Sequence, residues 1–242
     1  HRSRLVEFKT AINEVHALET VRHPFIVAFY HAWAEKDRYI HIAMEFCPGG
    51  DCEAFVTRAI AAQQKRFAAR NSGDSRSPSP VGRSPSPFSG SDADVASHAA
   101  AHAVRGEVQP HLLNDGMVKR WAVQMLLALS CIHKLRIIHR DVKLQNMFLT
   151  DASGLTAKMG DFGLSKILSS QDDHATTQAG TPYYFSPEIA SGVAHSRKTD
   201  VWSLGVALYY AMAGRYPFQG TSLIAVLSAI RDREPRHLST FG

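Results

Sequence analysis

An α+β fold, a strand hairpin and short strands set among helices, is what this sequence predicts, and three observations carry it. Residues 25–34 and 39–46 are rich in β-branched and aromatic side chains, and the charged run Glu35-Lys36-Asp37-Arg38 splits them, the pattern of an antiparallel hairpin. Apolar residues recur at helical steps elsewhere: Phe8, Ile12, Val15 and Leu18 early on, then Val118, Trp121, Ala122, Met125, Leu129 and Ile132. Between helical stretches, residues 68–109 lack the apolar mass that repays the entropy of ordering, so a disordered insertion is expected there. A chain of 242 residues makes either one large domain or two small lobes.

Taken in order, the first helix spans about 4–21 and ends at His23-Pro24, because proline disfavours helical geometry in the residue before it. The hairpin follows and is broken by Pro48-Gly49-Gly50-Asp51, where Asp51 suits a helix N-cap for residues 52–66. The insertion carries Arg-Ser-Pro-Ser-Pro at 76–80 and again at 83–87, so Ser77, Ser79, Ser84 and Ser86 each precede proline. They suit a proline-directed kinase; an unregulated spacer is the alternative. Order resumes at Asn114-Asp115, both plausible N-caps, and the long helix leads through Ile137-Ile138 into a polar loop. Short strands are expected at 147–149 and 157–159, and Gly160 after them gives a point of backbone freedom. Residues 164–181 are polar, the apolar run 201–213 reads as a buried helix, and 222–231 as another.

Composition excludes several classes. The net charge of +5 is mild, and between Lys65 and Arg83 five basic residues face only Asp74, so +4 of the surplus lies in one flexible-looking stretch. No clustered basic face suggests nucleic-acid binding. Three cysteines, Cys47, Cys52 and Cys131, form no metal-ligand pattern, and an odd count argues against a disulfide framework. Reduced thiols suit a cytoplasmic chain, with cytoskeletal or nuclear association as alternatives. No signal peptide opens the sequence, and 201–213 is too short to span a bilayer.

The chemistry concentrates at 139–146, His-Arg-Asp-Val-Lys-Leu-Gln-Asn, read with Asp161-Phe162-Gly163. Asp141 suits proton acceptance from a hydroxyl nucleophile, and Lys143 suits a phosphoryl oxygen. Asn146 and Asp161 offer oxygens to a hard cation such as Mg²⁺. A base, a cation and two metal ligands are the needs of phosphoryl transfer, which is mostly positioning and charge neutralisation.

This loop, with Asp-Phe-Gly and the Ser-Pro-Glu of 186–188 in that order, resembles the eukaryotic protein kinase signature. Cys-Pro-Gly-Gly-Asp at 47–51, Gly-Asp-Phe-Gly at 160–163 and Gly-Thr-Pro-Tyr-Tyr-Phe-Ser-Pro-Glu at 180–188 are similar to the NIMA-related (Nek) serine/threonine kinases, over residues 5–66 and 110–230. The resemblance implies a two-lobed kinase fold: 1–47 a remnant of the smaller lobe with its C-helix and hinge hairpin, 48–242 a mainly helical larger lobe holding the insertion. It implies Glu14 as the C-helix glutamate, Met44 as gatekeeper, Glu45 and Cys47 in the hinge that bonds adenine, and Phe148 under the adenine. Asp51 would contact ribose or substrate, against the plain N-cap reading. Asp141 would be the catalytic base, Lys143 would steady the γ-phosphate, and Asn146 and Asp161 would hold Mg²⁺ beside ATP. Leu18, Phe29, Phe162 and His139 would stack as a spine anchored on Asp200, which would bond the catalytic-loop backbone. Phosphorylated Thr177, or Thr176, added by another kinase or by the enzyme itself, would dock on Arg140. Thr181 would bond Asp141 and Lys143, and Glu188 would pair with a later arginine. Protein substrates follow; nucleic acid and membrane do not. Val142 and Leu144 depart from the commoner Nek residues. No Gly-x-Gly-x-x-Gly occurs and no suitable lysine precedes Glu14, so the phosphate-covering loop is expected upstream of His1 and the last helices beyond Gly242. The rival readings are a pseudokinase scaffold and a trimmed inactive isoform.

Overall fold

The computed structural model describes residues 21–35, 39–71, 113–161, 182–235 and 237–238. The helix expected at 4–21, the disordered insertion from residue 72 onward and the segment 162–181 lie outside them, apart from Val21, which is buried.

The hairpin forms as β1 (Phe29–Glu35) and β2 (Tyr39–Met44), antiparallel, with a register irregularity between Phe29 and His31. Both strands are shorter than expected. Residues 25–27 instead reach across to the second sheet, where Val27 N–H donates to Met159 O at 2.8 Å and Met159 N–H to Phe25 O at 2.8 Å. Past the irregularity burial alternates on β1: Ala32 is buried between exposed His31 and Trp33, and Trp33 stacks between His31 and His41.

Pro48 and Gly49 make the turn out of the hairpin. A Cβ at Gly49 would lie 2.4 Å from the Asp151 carbonyl oxygen, so only glycine lets this turn approach the sheet. The chain then enters β3 (Gly50–Asp51), which pairs antiparallel with β4 (Met147–Leu149), itself paired with β5 (Ala157–Met159). Asp51 Oδ1 accepts from Ala54 N–H at 2.7 Å and caps α1 (Cys52–Asn71). This helix overruns the expected end at 66 and takes in the first residues of the expected insertion. The reason is local: 61–70 is built of Ala, Gln, Lys and Arg, strong helix formers, with Phe67 the one exception.

The long helix α2 (Asp115–Lys134) is capped by Asn114 and buries Val118, Trp121, Gln124, Met125, Ala128, Leu129 and Ile132. The expected face is present, with Gln124 added and Ala122 only half-buried. Gln124 staples the helix to β5: its Oε1 accepts from Ala157 N–H at 2.9 Å and its Nε2 donates to Leu155 O at 3.2 Å. The helix ends in a Schellman motif, with Arg136 N–H on His133 O and Ile137 N–H on Ile132 O. Arg136 occupies the left-handed position (φ 61°) that usually falls to glycine, at a cost of roughly 1 kcal/mol.

Against α2 packs α4 (Arg197–Ala213), which follows the short α3 (Pro187–Ala190). A reciprocal Ser196–Thr199 capping box starts α4, and Gly214 in the left-handed conformation (φ 66°) ends it. Tyr183, Tyr184, Tyr210 and Tyr216 form an aromatic cluster beside it, with Tyr183 stacked on Tyr216 at 4.3 Å. The last described helix is α5 (Leu223–Asp232). Among the described residues no helix is long and apolar enough to cross a membrane.

Candidate active site

The polar loop between α2 and β4 is held from beneath by one carboxylate. Asp200, in the first turn of α4 and only 1% exposed, accepts from the backbone N–H groups of His139 and Arg140, each at 2.9 Å. His133 of α2 approaches its Oδ2 at 2.7 Å. A buried carboxylate needs such partners to remain charged. The three bonds join two helices to the loop and let Arg140 hold a left-handed backbone (φ 68°).

His139 is the second fixed point. Its Nε2 lies 3.1 Å from Gly160 O, which can only accept, and its Nδ1 accepts from Asp141 N–H at 3.3 Å. The pair of bonds selects the neutral, Nε2-protonated ring. Burial pushes its pKa below the ordinary value, against the opposing pull of Asp200 and Asp141. The ring thereby connects the loop bearing Asp141 to the strand end bearing Asp161.

On this base the reactive groups converge. Asn146 closes a 3₁₀ turn (Leu144–Asn146), and its Nδ2 donates to Asp141 O at 2.8 Å and Asp141 Oδ2 at 2.9 Å. With the nitrogen committed, the carboxamide oxygen is the atom left for a cation. Lys143 Nζ stands 2.8 Å from Asp141 Oδ2. Asn146 O accepts from Gly160 N–H at 2.9 Å, which brings Asp161 next to this cluster with a left-handed backbone (φ 54°). An all-oxygen donor pair from a carboxamide and a carboxylate fits Mg²⁺, which takes few protein ligands and leaves the rest to water and phosphate.

The other expected residues are placed around this cluster. Glu45 N–H donates to Ala28 O, and the Glu45 side chain accepts from Ala28 N–H and from Lys158 of β5. Burial alone would raise its carboxyl, but those two hydrogen bonds and the Lys158 charge outweigh it and hold the pKa below the ordinary value. Its side chain thus ties the segment after β2 to Ala28 and to β5. Met44 is partly exposed, and Cys47 O accepts from Gly50 N–H. Asp51 serves as the helix cap described above. Phe148 lies against Gly160 and Val27: a Cβ on Gly160 would come within 2.6 Å of its ring. Gly160 therefore meets a close-packing demand that a reading of its backbone freedom did not include. Glu188 accepts from Thr199 Oγ1 at 3.2 Å, one residue from Asp200. Phe29 and His139 are both buried. Glu14, Leu18, Phe162, Thr176, Thr177 and Thr181 lie outside the described residues.

Sequence reasoning missed His133, Gln124, Lys158 and His195. His133 falls four residues past Leu129, on the buried face, but only its partner Asp200 on α4 gives it a role. His195 is half-buried with Nδ1 sealed from solvent and without a partner among the described residues, and its pKa is lowered, first by burial and then by the Arg140 charge. No local pattern marks it.

A loop that gathers Asp141, Asn146 and Lys143, anchored on a helix carboxylate and followed by a strand with Asp161 two residues past its end, presents the groups that phosphoryl transfer needs. The protein kinase domain family matches residues 97–237, and the chain belongs to that family. It is 33% identical over 217 residues to the serine/threonine-protein kinase Nek5 of Homo sapiens, covering 90% of this chain and 23% of that protein. To Nek3 of Mus musculus it is 32% identical, covering 88% of this chain and 32% of the relative. To Nek4 of the same species it is 29% identical, covering 93% and 22%. The chain thus spans between about a fifth and a third of the length of these curated relatives. The crystal structure of Rad53 1-466 in complex with AMP-PNP superposes with a TM-score of 0.56 at 23% identity, covering 92% of this chain and 43% of that one, a likeness of fold.

Proposed function

We propose that this chain carries the catalytic centre of a serine/threonine protein kinase that uses ATP. The observation that carries the reading is Asp141, held by Asn146 and Lys143 within one loop whose backbone is fixed on Asp200. A general base must be positioned before its proton affinity matters. Here two donors orient its carboxylate, and the neutral His139 ring fixes its backbone N–H.

Asp141 would take the proton of an incoming serine or threonine hydroxyl. Lys143, now paired with Asp141, would turn to a phosphoryl oxygen when nucleotide arrives. Asn146 and Asp161 would hold Mg²⁺, whose contribution is to neutralise phosphate charge. The Nek likeness supports serine and threonine as acceptors, and Rad53 with its bound AMP-PNP supports a nucleotide cleft. Thr177 as a phosphorylated switch docking on Arg140 belongs to the same proposal, as do protein substrates and a cytoplasmic location. The test is phosphoamino-acid analysis after incubation of the protein with γ-labelled ATP, Mg²⁺ and a peptide mixture. Label on serine or threonine is expected; label confined to tyrosine contradicts the assignment of acceptor.

A further inference from the structure

Behind the catalytic loop lies a second concavity. The end of α2 and the start of α4 enclose a groove of about 570 Å³ lined by His133, Lys134, Arg136, Ile138 and Arg197. Lys134, Arg136 and Arg197 are exposed, and among the described residues no carboxylate lines it. Lys134 also borders an adjoining depression of about 430 Å³ that includes Arg22 and His23, so the positive surface continues past the groove. Asp200, the nearby acid, is sealed beneath and committed to His133 and the loop backbone.

Two features make this more than a solvated charged face. His133 is fixed by its bond to Asp200, so one wall is rigid. Arg136 sits in the left-handed position of the Schellman motif, where glycine is the unstrained choice, and its backbone there is locked by the bonds at the helix end. A strained backbone persists only where its surroundings over-determine it, and such positions cluster at functional sites. Two guanidiniums and an ammonium around one concavity match a phosphate dianion, which arginine grips through paired N–H groups. The groove is several times larger than a phosphate, and Ile138 gives its wall an apolar patch, so a peptide segment fits it better than a free ion.

We propose that this groove docks a phosphorylated serine or threonine segment of a partner protein. The choice of partner rests on the kinase reading, because phosphorylated segments are what the catalytic cleft would produce. A product held behind the loop would keep a substrate with several acceptor sites close for further rounds.

The test is binding, read without catalysis. A fluorescent peptide bearing one phosphoserine, its unphosphorylated twin and inorganic phosphate are titrated against the full chain. The phosphopeptide is expected to bind at least about tenfold tighter than its twin, and to weaken as salt rises. Arg136→Gly separates binding from folding: glycine suits the left-handed site, so the melting temperature should hold or rise while phosphopeptide affinity falls. Arg197→Glu should lower it further. Equal binding of the twin peptides, an Arg136→Gly protein that binds undiminished, or inorganic phosphate as tight as the phosphopeptide overturns the proposal. A chain that docks the phosphopeptide yet transfers no phosphate leaves the groove standing and sinks the kinase reading instead.

Discussion

At the scale of single residues, two imidazoles carry information that charge counting misses. His139 and His195 both have pKa values lowered from 6.5, chiefly by burial. The unfolded chain binds protons at these positions near pH 6.5 while the folded chain does not, so the unfolded state carries more protons and stability rises with pH through that range. Their contribution is full above about pH 6.5 and is lost as pH falls below it toward the lowered folded values. Glu45 acts in the same direction at lower pH, its stabilisation present above 4.5 and lost as pH falls through its depressed value. The urea midpoint should therefore drop between about pH 7 and pH 5.5, and His195→Gln should flatten that slope. An unchanged slope in the variant contradicts the assignment. At this scale the cluster was legible because it is contiguous: Asp141, Lys143 and Asn146 fall within six residues and their side chains meet. His133 and His195 were not, because their roles depend on partners 67 residues away for His133 and on burial for His195.

Elements position the site through a few contacts that admit no substitution. Gly160 lets the chain leave β5 past the Phe148 ring, where a Cβ would lie 2.6 Å from that ring and 3.2 Å from Val27. Gly160→Ala should cost about 1–3 kcal/mol in stability, as overpacking does. Adding Phe148→Ala should recover part of that loss, so the double variant falls short of the sum of the two singles; thermal denaturation of all four proteins measures it. Strict additivity means that the ring and the glycine do not meet. The hydrophobic period found α2, and the N-cap at Asn114 fixed its start. Gln124 escaped because a polar residue on an apolar face shows its worth only once β5, more than thirty residues on, supplies Ala157 N–H. The end of α1 was misplaced for the opposite reason: low apolar content read as disorder, yet the alanine-rich run through residue 70 favours helix by local propensity alone.

For the whole molecule, the decisive arrangement is convergence on Asp200. Helix α2 brings His133, the loop brings two backbone N–H groups, and α4 brings the carboxylate, so the reactive loop is part of the core and not a surface turn. The α+β class was legible from the order of elements, hairpin, helix, loop, two short strands and a buried helix, whereas the kinase fold was legible only through the resemblance carried by the motifs at 139–146, 161–163 and 186–188. The division into 1–47 and 48–242 rests on residues outside those described as well as within them. The flanks of the hairpin are nevertheless tied to the second sheet, through Val27 and Phe25 on Met159 and through Glu45 on Lys158, both in β5. This brings the chain on either side of the hairpin up to the end of β5, two residues before Asp161.

The most direct measurement compares phosphate transfer and nucleotide binding in the Asp141→Asn protein with those in the unaltered one. Asparagine keeps the size and the contacts with Asn146 and Lys143 within reach but cannot take a proton. Transfer should fall by at least about a hundredfold, the scale of general-base catalysis, while nucleotide affinity stays within a few-fold. Transfer at an undiminished rate would contradict the role given to Asp141 and with it the account of the site.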